Sequence, residues 1–465
     1  MQYKEDPITR EQVMMSRLED EIEADSIVRL IDTYIDGIDM KSCGFLHSEL
    51  SDTGRRPYNP VDLLKLYLYS YFNAIHSSRK IERECFRNLE VRWLLNGNKP
   101  SYKTIANFRK DNTEALVKVF REFVRFCDAM DLLGKTLLAV DGTRIRANNS
   151  KAKYITKGKL DKKIEHYEEM AAHYLKEMDK IDASEDKNDN KESLAKKFEQ
   201  AQKRIKELKE EREKMPEKGG IALTDPDSKR MIMNNQGNDI CHNVQSVVDA
   251  KNKLIVSFDV VDSAVDQDQL APMAKKAKDE LNAEAFTVLA DKGYFGSKGI
   301  EGCEDANITP IVCVPKNSQH TKIYSRSEFT YVKEKDCYIC PAGNELTRTG
   351  YKDGKKYRNV KACRECEMKN KCTNRKDCRE IQIKNSEAFE NAIKRYYDNP
   401  QTYRLRQQIV EHPFGTIKRG LGFNYFLLRG FSKVKAETAL VFITYNFKRV
   451  ISILGFNTMM KAIIR

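Results

Sequence analysis

Residues 135–146 read KTLLAVDGTRIR. The run Thr136–Val140 has strand length and no charge, which predicts a central buried strand, and it closes on Asp141 and Gly142. A second run of this kind, Phe286–Ala290, closes on Asp291 in LADKGYFG. Between them, Asn243–Val248 and Leu254–Val261 flank the turn 249–253 and predict a β-hairpin, and Gln267–Leu281 carries an apolar face at helical spacing. A short helix at Ser297–Ala306 and a strand at Pro310–Val314 complete the pattern. The order strand, hairpin, helix, strand, helix, strand, helix predicts an α/β sheet with an antiparallel side. Asp141 and Asp291 then stand at strand exits, where open α/β sheets place their chemistry.

Upstream, the chain reads as helical. An amphipathic helix is expected around Ser26–Ile35 and a polar turn at Ser51–Arg56. Asn59 and Pro60 give a cap and a first position for a buried helix whose apolar face runs from Leu63 through Ala74. Helical stretches at Arg79–Leu95 and Thr104–Leu132, joined by a turn with Gly97 and Pro100, resemble a helix-turn-helix module, and Lys103, Arg109 and Lys110 are its candidate DNA contacts. After the first strand, Leu160–Ile181 and Leu194–Met215 repeat apolar residues in steps of four and three. They predict an antiparallel helical hairpin joined by a polar linker at Ala183–Asn190. His166 and His173 on that hairpin read as surface residues.

Six cysteines, Cys337, Cys340, Cys363, Cys366, Cys372 and Cys378, fall between residues 337 and 378. Two C-x-x-C pairs with 22 residues between them have the knuckle spacing of a structural zinc site, with four of the six thiolates as ligands. Further on, Tyr403–Gly420, YRLRQQIVEHPFGTIKRG, sets Glu411 among Arg404, Arg406, Lys418 and Arg419. With Asp141 and Asp291, Glu411 makes three carboxylates on strand ends and a helix, a donor set suited to a pair of Mg²⁺ ions.

Lys and Arg number 82 against 69 Asp and Glu, a net charge of +13, which points to an anionic partner, nucleic acid first. The apolar runs are short and broken by lysines and the N-terminus has no apolar signal region, so the expected place is the cytoplasm, associated with the nucleoid, and not a membrane. In that reducing setting the cysteines are expected free or metal-bound.

Asp141 in AVDGTRIRANNS, Asp291 in LADKGYFG and Glu411 in VEHPFGTIKR together resemble a bacterial insertion-sequence transposase of the DDE type, the group with a cysteine-rich insertion before its glutamate. The resemblance covers nearly the whole chain, including RRPYNPVDLLKLYLYSYF and PSYKTIANFRKDN. It implies an N-terminal all-helical DNA-binding domain over 1–132 and a ribonuclease-H-like catalytic core over 133–465. The core would carry the helical hairpin as an insertion at 150–235 and a zinc-ribbon-like one at 316–382. It implies two Mg²⁺ ions held by Asp141, Asp291 and Glu411, double-stranded DNA as partner, a homodimer on DNA, and Mg²⁺-dependent cleavage and strand transfer at the element's ends. Relatives carry Y-x₂-R-x₃-E-x₆-K on the glutamate helix. Tyr403, Arg406 and Lys418 are the corresponding phosphate contacts, although Arg406 stands five residues before Glu411, not four, and Gln407 holds the expected place. The rival readings are a DNA-binding protein derived from a transposase without cleavage activity, and a hydrolytic nuclease on the same fold.

Overall fold

The computed structural model describes residues 15–49, 56–183, 190–213, 215, 219–233, 237–315, 324, 328–349, 355–383 and 387–464. Most of the turn expected at Ser51–Arg56 and of the linker at Ala183–Asn190 lies outside them. Seven helices come first: α1 (Ile27–Asp36), α2 (Met40–Cys43), α3 (Pro60–Phe72), α4 (Ser78–Arg87), α5 (Leu89–Leu94), α6 (Tyr102–Asp111) and α7 (Thr113–Ala129). Their starts follow the capping chemistry, with the side chains of Ser26, Asn59 and Ser101 each accepting a backbone N–H of the first turn. The stretches expected as single helices at Arg79–Leu95 and Thr104–Leu132 are each divided, at Asn88 and at Asn112, where an asparagine leaves helical geometry.

The main sheet is mixed. Strand β1 (Leu137–Arg146) is followed by β2 (Tyr154–Thr156), the long helices α8 (Lys157–Ala183) and α9 (Asn190–Glu213), and β3 (Gly220–Ala222), which pairs with β2. Leu160, Ile164, Leu208 and Met215 form a small apolar seam between the two helices, as their heptad spacing requires. Then come β4 (Lys229–Met233), β5 (Gly237–Asp249), β6 (Ile255–Val261), α10 (Leu270–Leu281), β7 (Phe286–Ala290), α11 (Ser297–Glu304) and β8 (Ile308–Val312). The strands lie in the order β4–β5–β1–β7–β8, with β6 also on β5. Strand β1 runs antiparallel to β5 and parallel to β7, and β7 parallel to β8. Ala139 pairs with Leu289, so Asp141 and Asp291, each two residues further on, stand at the same level; β7 ends before Asp291 as expected, whereas β1, paired with β5 as far as Arg146, runs on through Asp141, which lies inside its strand and not at its exit.

A second sheet is antiparallel, of β9 (Thr330–Val332), β10 (Cys337–Ile339), β11 (Glu345–Thr349), β12 (Lys355–Arg358) and β13 (Glu380–Ile383), with α12 (Val360–Arg364) and α13 (Lys369–Cys372) before its last strand. Last are α14 (Glu387–Asp398), α15 (Pro400–Gly415), a wide π turn at Thr416–Gly420, α16 (Phe431–Leu454) and α17 (Phe456–Ile464). Helix α16 is buried along most of its length and packs on α3, α7 and β6, so one hydrophobic core runs from Ile22 to Met459 through the N-terminal helices and the sheet. Among the described residues no single helix is long and apolar enough to cross a membrane.

His76 lies where the N-terminal helices meet the C-terminal segment, its ring against Tyr71 and Phe423. Burial, with Arg109 and Lys80 nearby, pushes it down to about 4. Between its ordinary 6.5 and about 4 the unfolded chain binds a proton that the folded chain refuses. Stability is therefore full above pH 6.5 and is lost as pH falls through that window. In thermal melts across this range, His76→Gln is expected to lose less Tm than the wild type; parallel curves would refute this.

Candidate functional site

A cleft of about 710 Å³ opens over the exit ends of β1 and β7, lined by Asp141, Gly142, Asn243, Asp266, Asp291, Arg144, Arg146, Arg406 and Lys418 among others. The adjacent parallel strands deliver Asp141 and Asp291 to it. Asp291 is fixed by accepting the Gly293 backbone N–H at 2.7 Å. Asp141 is set deeper. Burial pushes it up to about 7, with Asp291 and Asp266 adding repulsion and Arg406 and the Gly142 N–H pulling the other way. Arg406 Nη1 stands 3.7 Å from Asp141 Oδ1, and that nitrogen is buried without a hydrogen-bond acceptor.

Asp266, which the sequence patterns did not single out, belongs to the same cleft. Its Oδ1 accepts from Asn243 Nδ2 at 2.9 Å and Gln245 Nε2 at 2.7 Å, and Gln245 in turn accepts from the Tyr294 hydroxyl. Gly142 makes this approach possible. A Cβ there would lie 2.4 Å from Gln245 Nε2 and 3.0 Å from Asp266 Oδ1. The Asp141-Gly142 pair was therefore a sequence sign of a crowded neighbour, though not of which one.

The predicted residues of α15 divide. Arg406 lines the cleft, but Glu411 does not; it is exposed and accepts from Gln407 Nε2 at 2.9 Å on its own helix. Five residues at about 100° each turn Glu411 about 140° away from Arg406, whereas a four-residue spacing would have left them about 40° apart. Pro413 lies inside α15, which gives way to the π turn that carries Lys418. Lys418 points to the cleft with Nζ 3.5 Å from the Arg144 carbonyl; burial lowers its pKa, and Cys241 and Asp141 oppose that. Tyr403 is turned toward Tyr396, 5.0 Å between rings, and toward Cys313, away from the residues lining the cleft.

Of the N-terminal candidates, Lys103 and Lys110 are exposed, Lys110 with its Nζ 3.3 Å from Asp111. Arg109 is a correction. Only 3% exposed, it donates to the Tyr71 hydroxyl at 2.7 Å and pairs with buried Glu437, so it is a core residue out of reach of any phosphate.

The cysteine expectation also changes. All twelve cysteines are free. Cys340, Cys363, Cys366 and Cys372 line one small cavity with Phe329, Leu346 and Met368, while Cys337 and Cys378 are buried and do not line it. Burial pushes the Cys372 thiol up, Arg379 opposes it, and the three neighbouring cysteines add to the rise. Among the described residues no group of three or more His, Cys, Asp or Glu side chains is drawn together closely enough to hold a metal ion, so the structure gives the zinc site no support. Paired C-x-x-C spacing brought four thiols to one face without closing a coordination shell. For Mg²⁺, Asp141, Asp266 and Asp291 offer oxygen donors of the right kind in the cleft, but they too are not drawn into a group that could hold an ion.

Residues 339–451 match the family model of a transposase DDE domain, and residues 16–111 match that of a transposase domain, DUF772. The chain is also similar to a solved structure, the cryo-EM structure of piggyBac transposase synaptic complex with hairpin DNA. The identity is 10%, 95% of this chain and 77% of that chain are covered, and the TM-score is 0.31. No curated protein matches the chain.

Proposed function

We propose that this chain, a transposase of the DDE type, binds the ends of a mobile element and catalyses divalent-cation-dependent phosphodiester cleavage followed by strand transfer. The observation that carries the reading is the placement of Asp141 and Asp291 at one level of adjacent parallel strands, facing a cleft rimmed by Arg144, Arg146, Arg406 and Lys418. We read the sheet, antiparallel through β6, β5 and β1 and parallel beyond, as a ribonuclease-H-like core, with residues 1–132 as a helical DNA-binding domain.

Asp141 and Asp291 would hold Mg²⁺; Glu411, the third carboxylate that the resemblance implies, is exposed outside the lining of the cleft and would have to turn toward it. Bound there, the ions would supply Lewis acidity to the attacking and departing oxygens. The protein's own share is positional and electrostatic. Lys418 and the cleft arginines neutralise the phosphate backbone, and Arg406 offers a preorganised cation beside the reacting phosphate. Joining two ends calls for two copies of the chain on DNA. The test is cleavage of a supercoiled plasmid carrying the element's flanking DNA, assayed with Mg²⁺ and with EDTA. Nicks or breaks at the element ends are expected only with Mg²⁺; undiminished cutting in EDTA would refute the reading.

A further inference from the structure

We propose that the second sheet carries a further seat for duplex DNA, a basic cleft that grips backbone phosphates through Arg364 and Lys376; the inference rests on the reading of the chain as a DNA-cutting transposase. The stretch 355–380 holds ten Lys and Arg against four Asp and Glu, a net +6 that is nearly half of the chain's +13. Folding gathers part of that charge around a cleft of about 410 Å³, bounded by the end of β12, α12, residues 375–378 and the start of β13. Arg358 of β12 pairs across the sheet with Glu380 of β13. The Glu380 side chain, 11% exposed, meets Lys356 at 2.8 Å and Arg358 at 3.6 Å, and also pairs with Arg375. One carboxylate thus orients three cations while neutralising one charge. Arg364 from α12 and Lys376 from the loop before β13 line the same cleft, exposed and without an acid partner among the described residues.

The alternative is an ordinary solvated face. Such a face matches each base with an acid close by, as on α8 and α9, where Lys180, Lys196 and Arg204 each meet a Glu three or four residues away. The cleft does not follow that pattern. Asp377, its other acid, is exposed and forms no ion pair with Arg364 or Lys376 among the described residues. A guanidinium fork beside an ammonium is what phosphate oxygens take up, and a grip on the backbone asks for no exposed base edge. The occupant is therefore a duplex, the form in which the chain meets its element. No residue lines both this cleft and the one over β1 and β7, so losing the grip should weaken binding without touching the reacting groups.

The test is fluorescence anisotropy of two labelled duplexes of unrelated sequence, titrated with the full-length chain over a series of KCl concentrations. Arg364→Ala combined with Lys376→Ala should lose about one unit of salt slope per contact and bind both duplexes roughly 10–50-fold more weakly near 0.1 M salt. Lys162→Ala combined with Lys203→Ala, exposed on α8 and α9, removes the same charge and should keep the wild-type slope and affinity. Thermal melts check that both variants fold. A second measurement needs no variant: acetic anhydride should label Lys376 in the free chain and spare it in the chain saturated with duplex. A wild-type slope in the first double variant, or Lys376 labelled as fully on DNA as off it, overturns the proposal, while plasmid cleavage by the wild type still upholds the functional reading. Weaker binding of a single-stranded RNA with unchanged duplex binding assigns the cleft to RNA and overturns the proposal as well. A wild-type chain that binds no duplex at low salt overturns the functional reading and this inference with it.

Discussion

Replacing Asp141 by Asn is expected to lower Mg²⁺-dependent DNA cleavage by at least about 10²-fold, because losing even an outer-shell partner of a bound metal costs about 10–100-fold. Asp291→Asn should act alike, since the two residues stand at one level on adjacent strand paths. The loss will not come from unfolding. Asp141 is pushed up from its ordinary 3.8 to about 7, chiefly by burial. Between those values the folded chain holds a proton that the unfolded chain has released, so this residue's effect on stability worsens as pH rises through the window. Above pH 7 the wild type keeps a buried charge at a cost that the isosteric amide avoids. At pH 8, then, Asp141→Asn should melt at or above the wild-type temperature while being inactive. Added Mg²⁺ should raise the Tm of the wild type and leave the variant unmoved, because only a chain that binds the ion gains from it. Cleavage within tenfold of wild type, or a variant that melts well below wild type at pH 8, would remove Asp141 from the site.

Much of this geometry was legible in the sequence because it depends on short-range pattern. The apolar runs before Asp141 and Asp291 have strand length and nothing else to become, and β1 and β7 formed there. The heptads of α8 and α9 needed only each other. What stayed hidden depends on partners far along the chain. Asp266 lies in the polar, aperiodic stretch DSAVDQDQ, and its place is set by Asn243 and Gln245 on another element. Arg109 was misread from its charge, although its spacing from Ile105 and Phe108, four and one residues before it, put it on the buried face of α6. The five-residue step from Arg406 to Glu411 was visible, and its meaning is angular: the two side chains point to different faces of one helix. Cysteine spacing gave proximity around one cavity, but proximity is not a coordination shell.

Glu437→Ala is expected to be the most destabilising single change in the core. Glu437 is fully buried on α16 and accepts the backbone N–H groups of Leu427 and Leu428 at 3.0–3.2 Å, with Arg109 Nη1 3.5 Å away. Arg109, nearly as buried, also lies over the Tyr67 ring and binds the Tyr71 hydroxyl, so the pair fastens α3 and α6 to α16. Removing the carboxylate leaves a buried guanidinium without its anion, worth about 3–5 kcal/mol, and strips two backbone donors, each worth about 1–3 kcal/mol if left unpaired. Against a total stability of about 5–15 kcal/mol, such a loss approaches unfolding. Glu437→Gln keeps an acceptor for the backbone and should cost less. The double variant Arg109→Met, Glu437→Met should recover part of the loss, since replacing both charges removes the unpaired cation. The effect should also reach the cleft. Residues 427–428 end the segment that follows the π turn, and that segment is clasped to β1 where Phe426 N donates to the Arg146 carbonyl and Arg146 N to that of Asn424. Loosening it releases Lys418 from its place over β1. Urea unfolding of the three variants tests the argument: Glu437→Ala within 1 kcal/mol of wild type, on the order of an ordinary surface change, would show that the pair does not hold the halves together.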